Sequence, residues 1–190
     1  FLYFTDHEED LGRLVTEGRR REFRHFLAFV DPDARERIPD PQDPATFAMS
    51  RLDWDERSRE PHASIVRLHQ ALLALRRAEP ALRSNRRDDY EAAALDDATV
   101  LLVRNGPAGA ALLLVARLRG EGIADLGGAP DLLPPAGGRW DVVLTTEDPE
   151  FAPDPAPPQV ALDGPAPVIR FARPSAVLLR VTWDGPSQAS

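Results

Sequence analysis

No cysteine occurs in the 190 residues, and that absence removes disulfides, thiolate nucleophiles and cysteine-ligated metal sites together. Nothing then argues for an oxidising compartment, so the cytoplasm is the expected location. Lysine is missing as well: arginine supplies all 23 basic residues against 31 Asp and Glu, for a formal net charge of −8. A chain this acidic, with no basic stripe, is not expected to bind nucleic acid or an anionic membrane, because both need clustered cations to displace counterions. The arginine bias fits a GC-rich genome better than a phosphate-binding device. Long apolar runs are lacking too. The longest, Ala110–Ala116 and Val100–Val103, fall short of the roughly 18 residues that cross a bilayer. A soluble protein without a membrane span is expected.

What is present suffices for a core: 43% of residues are apolar and 28% charged, enough for one large domain or two small ones. The first residue is Phe1, and Phe1–Phe4 is already an apolar run with no basic leader before it, so the chain reads as a portion of a longer protein. Proline is plentiful, and ten of the 19 lie between Pro130 and Pro167, where extended loops are expected.

Phe1–Phe4 reads as the end of a buried strand, followed by Thr5 and Asp6 as a helix cap ahead of His7-Glu8-Glu9-Asp10. Glu17–Phe29 mixes Arg19, Arg20, Arg21 and Arg24 with Phe23, Phe26, Leu27 and Phe29, the pattern of an amphipathic helix. Four prolines make Asp31–Pro44 an extended loop, after which Thr46–Met49 reads as a short helix and Ser50–Trp54 as a turn. Pro61–Glu79 is the clearest helix, with Ile65, Leu68, Leu72 and Leu75 forming one apolar stripe that requires a packing partner.

Composition shifts near Ser84. Tyr90–Leu95, Thr99–Asn105, Ala110–Leu118, Trp140–Thr145, Val168–Phe171 and Val177–Trp183 read as strands, and Pro153–Pro158 as a stiff surface loop. Strands at this spacing without intervening helices predict an antiparallel β-sandwich over 84–190, with the boundary at Arg83–Asp88.

Most chemical motifs are excluded by spacing. His62 and His69 are seven residues apart, two helical turns, and His7-Glu8-Glu9-Asp10-Leu11 lacks the second histidine of a zinc helix, so no metal site is expected. Gly120-Glu121-Gly122-Ile123-Ala124-Asp125 lacks the third glycine of a dinucleotide fingerprint. No G-x-S-x-G elbow occurs either. Glycoside cleavage needs two carboxylates set across a sugar; Asp6, Asp53 and Asp55 qualify by type alone, since nothing local opposes two of them. Asp6 has two readings, helix cap or rim residue of a substrate mouth, and His7 shares them. Phe1, Tyr3, Phe4 and Trp54 read either as core or as a sugar-stacking platform.

Four segments together resemble one family: Phe1-Leu2-Tyr3-Phe4-Thr5-Asp6-His7-Glu8-Glu9, Glu17-Gly18-Arg19-Arg20-Arg21-Glu22-Phe23, Pro39-Asp40-Pro41-Gln42-Asp43-Pro44-Ala45-Thr46-Phe47 and Ser50-Arg51-Leu52-Asp53-Trp54. The chain is similar over Phe1–Leu82 to the malto-oligosyltrehalose trehalohydrolases, glycoside hydrolases of the alpha-amylase superfamily. Leu72–Leu82 looks like the last barrel helix of many such enzymes. The resemblance implies an α+β portion in which residues 1–83 close a (β/α)8 barrel as its last βα unit and residues 84–190 form the C-terminal sandwich. It implies that Phe1, Tyr3, Phe4, Asp6 and His7 stand at the substrate rim and that the Pro39–Trp54 segment walls the trehalose end. The catalytic carboxylates then lie upstream, leaving no catalytic residue in this chain and no activity for it alone. Maltooligosyltrehalose is the implied substrate of the full-length enzyme, cleaved by a retaining double displacement that requires no metal or organic cofactor. Another alpha-glucan-active member of the superfamily, or a non-catalytic carbohydrate-binding module, are the competing readings. Oligomeric state is not legible.

Overall fold

The computed structural model describes residues 2–23, 38–84, 86–106, 111–133 and 138–182. The chain divides into two compact units, Phe1–Trp54 and Asp55–Ser190.

The first unit holds helix α1, Glu9–Phe23, and the short helix α2, Pro44–Met49. Helix α1 opens with Glu9 and Asp10 and closes with Arg20 and Arg21, charges placed to complement its dipole. It is one helix where the sequence suggested a short helix and a second one over Glu17–Phe29; residues 24–29 lie outside the described part. Helix α2 is set by Asp43, whose side chain accepts from the Ala45 N–H at 2.8 Å, with Pro44 in the first turn.

Two expectations for the start of the chain are corrected. Residues 2–8 contain no strand, and no strand occurs among the described residues of this unit. The Leu2 N–H donates to Ser50 Oγ and the Thr5 N–H to the Pro41 carbonyl, so the backbone bonds to a hydroxyl and a loop instead of a ladder. Thr5 and Asp6 do not cap α1, which begins at Glu9; the Thr5 hydroxyl is instead taken by Gln42. Phe1 lies outside the described residues.

The second unit begins with helix α3, His62–Ala78, and then carries strands β1 Tyr90–Asp96, β2 Thr99–Asn105, β3 Ala111–Arg117, β4 Gly122–Asp125, β5 Arg139–Thr145, β6 Gln159–Ala161, β7 Val168–Phe171 and β8 Ser175–Thr182. They form two antiparallel sheets, ordered β1-β2-β3-β8-β5 and β4-β7-β6. Alternate residues of β2, β3 and β8 are buried: Leu101, Val103, Leu113, Val115, Val177, Leu179 and Val181 join Ala124, Ile169 and Phe171 of the smaller sheet in one apolar cluster. Gly120, at φ +59°, stands at the bend before β4, and Gly122, the second glycine of the segment that failed as a dinucleotide motif, opens that strand. Both edge strands of the larger sheet carry a register shift, between Ala94 and Asp96 in β1 and between Val142 and Leu144 in β5.

The stripe expected on α3 is split. Leu68, Ala71 and Leu75 are half-buried, whereas Ile65, Leu72 and Leu73 are exposed. Polar contacts fix the orientation: Arg67 Nε donates to the Glu150 carbonyl at 2.7 Å, and Arg180 of β8 pairs with Glu79 just beyond the helix. Arg104 of β2 donates to the carbonyls of Ala81 and Ser84. Glu60 caps α3 from outside, accepting from the Ser64 N–H and hydroxyl and from Arg67, and these bonds, the Ser64 hydroxyl first, hold its carboxyl below the usual range.

Candidate functional site

The site is assembled in the first unit by the segment that follows Ile38. Asp40 Oδ1 accepts from its neighbour's backbone, the Gln42 N–H, at 2.9 Å, and from the Thr16 hydroxyl of α1 at 2.8 Å. The Gln42 N–H foremost, then Thr16 and the charge of Arg20, hold the Asp40 carboxyl below its ordinary value. Thr46, 1% exposed, donates its hydroxyl to the Asp40 carbonyl at 2.6 Å, tying α2 to the same turn.

Gln42 then reaches the start of the chain with both ends of its amide. Its Nε2 donates to the Thr5 hydroxyl, and its Oε1 accepts from the His7 N–H at 3.0 Å. The side chain passes over Gly12 of α1, where an added Cβ would stand 2.8 Å from Oε1 and 3.0 Å from Cδ and Cγ. Gly12 is buried, and a Cβ there would have to push the Gln42 side chain aside.

Held in this way, Leu2, Tyr3 and Phe4 line a groove of about 860 Å³ together with Phe47, Ser50, Arg51, Leu52 and Trp54. The Phe4 and Phe47 rings are 5.3 Å apart and tilted by 48°. Arg19 of α1 sits over the Tyr3 ring at 4.0 Å. Phe47, Leu52 and Trp54 are more than half exposed, at 55%, 63% and 68%. An aromatic wall with the Arg51 guanidinium and the Ser50 and Tyr3 hydroxyls beside it suits a ligand with apolar faces and polar edges.

Of the five rim residues expected from sequence, Tyr3 and Phe4 line this groove, Asp6 and His7 are exposed and do not, and Phe1 is outside the described residues. His7 instead borders a second hollow with Glu9, Arg13, Glu17, Arg20 and Asp40. Phe47, Arg51 and Leu52, which lie in the Pro39–Trp54 segment expected as a wall, line the groove with Tyr3 and Phe4; they come together through contacts 35 and 48 residues apart in the chain, His7–Gln42 and Leu2–Ser50, which periodicity does not encode. The described residues contain no cluster of three or more His, Asp or Glu able to hold a metal ion. None of their helices is long and apolar enough to cross a membrane.

No family model matches the chain. It is 41% identical over 104 residues to the malto-oligosyltrehalose trehalohydrolase of Deinococcus radiodurans, covering 55% of this chain and 16% of that protein. It is 46% identical over 81 residues to the enzyme of that name from a Rhizobium species, and 48% over 79 residues to that of Arthrobacter ramosus, covering 42% and 41% of this chain and 13% of each relative. Among solved structures, an alpha-amylase from H. orenii overlays 74% of this chain and 25% of its own at a TM-score of 0.49 and 11% identity. The chain spans about one sixth of the length of the first of these relatives, and the resemblance read from its leading segments is borne out: it is similar to the C-terminal part of malto-oligosyltrehalose trehalohydrolases.

Proposed function

We propose that this chain is the C-terminal part of a malto-oligosyltrehalose trehalohydrolase, which hydrolyses the alpha-1,4 bond next to the trehalose end of maltooligosyltrehalose and releases trehalose. The similarity to relatives of that name, at 39–48% identity, carries this reading. In it, residues 1–83 complete a (β/α)8 barrel, the two antiparallel sheets are the sandwich that follows, and the paired carboxylates of a retaining mechanism belong to the portion of the relatives that this chain does not span.

The exposed apolar set supports that division. In the first unit Leu11, Leu14, Phe47, Met49, Leu52 and Trp54 are 44–68% exposed, side chains that in water favour being covered. The aromatic groove supports the placing of Tyr3 and Phe4 at the sugar rim, since glucosyl rings present apolar faces to such walls. Asp6 and His7 complete the rim in this reading, on the exposed stretch that follows.

The decisive measurement is product analysis. The full-length protein is expected to release trehalose from maltooligosyltrehalose and to leave plain maltooligosaccharide much less affected, while the 190 residues alone hydrolyse neither. Equal cleavage of plain maltooligosaccharide would place the chain in another alpha-glucan-active enzyme. Trehalose release by the 190 residues alone would overturn the assignment of the catalytic carboxylates to the uncovered portion.

A further inference from the structure

We infer that Gln42 is a positioning residue for the sugar-facing segment, acting through Thr5, His7 and Gly12; this rests on the reading of residues 3–7 as part of a glucan rim. Three independent features converge on its side chain. The amide is used at both ends on the segment, as donor to the Thr5 hydroxyl and as acceptor for the His7 N–H, so it fixes both the residues that flank Asp6. Its own backbone is fixed by the Asp40 carboxylate, which a hydroxyl from α1 also grips. The helix beneath it is cut away at Gly12 so that the amide can lie against α1.

Residues 2–8 have no ladder of their own to hold them. Elsewhere on this stretch the Thr5 N–H donates to the Pro41 carbonyl, and Ser50 Oγ accepts from the Leu2 N–H and donates to the Leu2 carbonyl, each tether reaching one residue. Gln42 spans two residues and sets their separation, which fixes the direction in which the intervening side chain and the preceding aromatics are presented. Loss of its amide therefore loosens substrate placement without touching the groups that break the bond. Where the segment's contact to the sugar is made equally in the ground and transition states, its loss raises KM and leaves kcat little changed.

The geometry makes an unusual demand of a double substitution. Gly12→Ala drives a methyl group into the Gln42 side chain and so displaces the amide. Once Gln42→Ala has removed that side chain, the three closest contacts of the same methyl are gone, and alanine favours the helix over glycine. The two changes are therefore non-additive. Gly18, on the same helix with nothing within 4 Å of an added Cβ, is the control.

The experiment uses the full-length protein, with maltooligosyltrehalose kinetics beside hydrogen exchange of the His7 amide. Gln42→Ala and Gly12→Ala are each expected to raise KM about five- to tenfold with kcat held within twofold, and to speed His7 exchange at least tenfold. The double variant is expected to be no worse than Gln42→Ala, and Gly18→Ala to behave as the unaltered protein. Thr5→Val, which keeps the shape and removes only the hydroxyl, provides a milder version should Gln42→Ala fail to fold, with a KM rise of about twofold or more. Unchanged KM in variants of an active enzyme overturns the positioning role, as does additive damage in the double variant. If the unaltered protein releases no trehalose, the functional reading fails instead; His7 exchange then decides the clasp alone, and unchanged exchange in Gln42→Ala overturns it.

Discussion

The two units of this chain are held together by different physics. In the second, large side chains from both sheets close on one another until Phe171, Leu101, Leu113, Ile169 and Leu179 have at most 1% of their surface in water. In the first, only Gly12, Pro41 and Thr46 are buried among the described residues, and none of them is a large apolar side chain. Order there comes from side-chain hydrogen bonds to backbone: Asp40, Gln42, Asp43, Thr46 and Ser50 satisfy turns and the leading segment one group at a time. A net hydrogen bond contributes about 1 kcal/mol, whereas a buried Phe or Leu contributes about 1.5–3 kcal/mol. The difference teaches that a closed core makes a scaffold, while a polar clasp sets the geometry of an exposed surface.

That contrast is broken most directly in the core. Phe171→Ala should cost about 3–5 kcal/mol, because it removes a ring that has no water to return to and leaves a cavity between the sheets. Chemical unfolding followed through the sheets is the check, and a loss below about 1 kcal/mol would mean that the two sheets do not depend on a shared core. The same substitution should leave hydrogen exchange in residues 2–50 unchanged.

A smaller effect separates two glycines of one helix. Gly12→Ala should destabilise the first unit by about 1–3 kcal/mol through overpacking against Gln42, and Gly18→Ala should stabilise it by up to about 1 kcal/mol through helix propensity alone. Local exchange rates in α1 give both values. Equal effects of the two changes would show that Gln42 does not lie over the helix.

Smallest is the electrostatic part of the clasp. The folded state lowers the Asp40 carboxyl below its unfolded value, so its contribution is complete above about pH 4 and is lost as pH falls through the lowered value. Asp40 is solvent-exposed, and screening limits that contribution to at most about 0.5 kcal/mol. Asp40→Asn keeps an acceptor for Thr16 and Gln42, and should flatten the acid dependence of exchange at His7 while changing little at neutral pH. A profile that stays unaltered in the variant would assign the acid response to another carboxylate.

Legibility from sequence followed the same divide. Thr99–Asn105 and Val168–Phe171 were read residue for residue, and the other long strands to within a residue or two, because Val and Leu runs bounded by turn residues report burial directly. Gly122–Asp125 and Gln159–Ala161 were missed: they are four and three residues long, and Gly, Asp and flanking prolines mask them. Ile65 and Leu72 were read into the same stripe as Leu68 and Leu75, since spacing does not say which partner each apolar side chain meets. At the candidate site Tyr3 and Phe4 were legible as aromatics. Phe47 and Arg51 fall within the Pro39–Trp54 segment that the resemblance implies as a wall, but their individual places are set by long-range contacts of Pro41, Gln42, Phe47 and Ser50 that no local pattern encodes.

The irregularities in β1 and β5 reach beyond the sheet that contains them. A strand at the margin of a sheet offers unpaired amides and carbonyls to any passing chain, and a flat one invites stacking into fibrils. Here each margin is kinked by an extra residue and flanked by charge, Glu91 and Asp96 on one side, Arg139 and Asp141 on the other. A neighbouring copy would meet neither a straight template nor a neutral one at these two margins, beyond which no further strand is paired among the described residues, and edge-to-edge pairing is disfavoured.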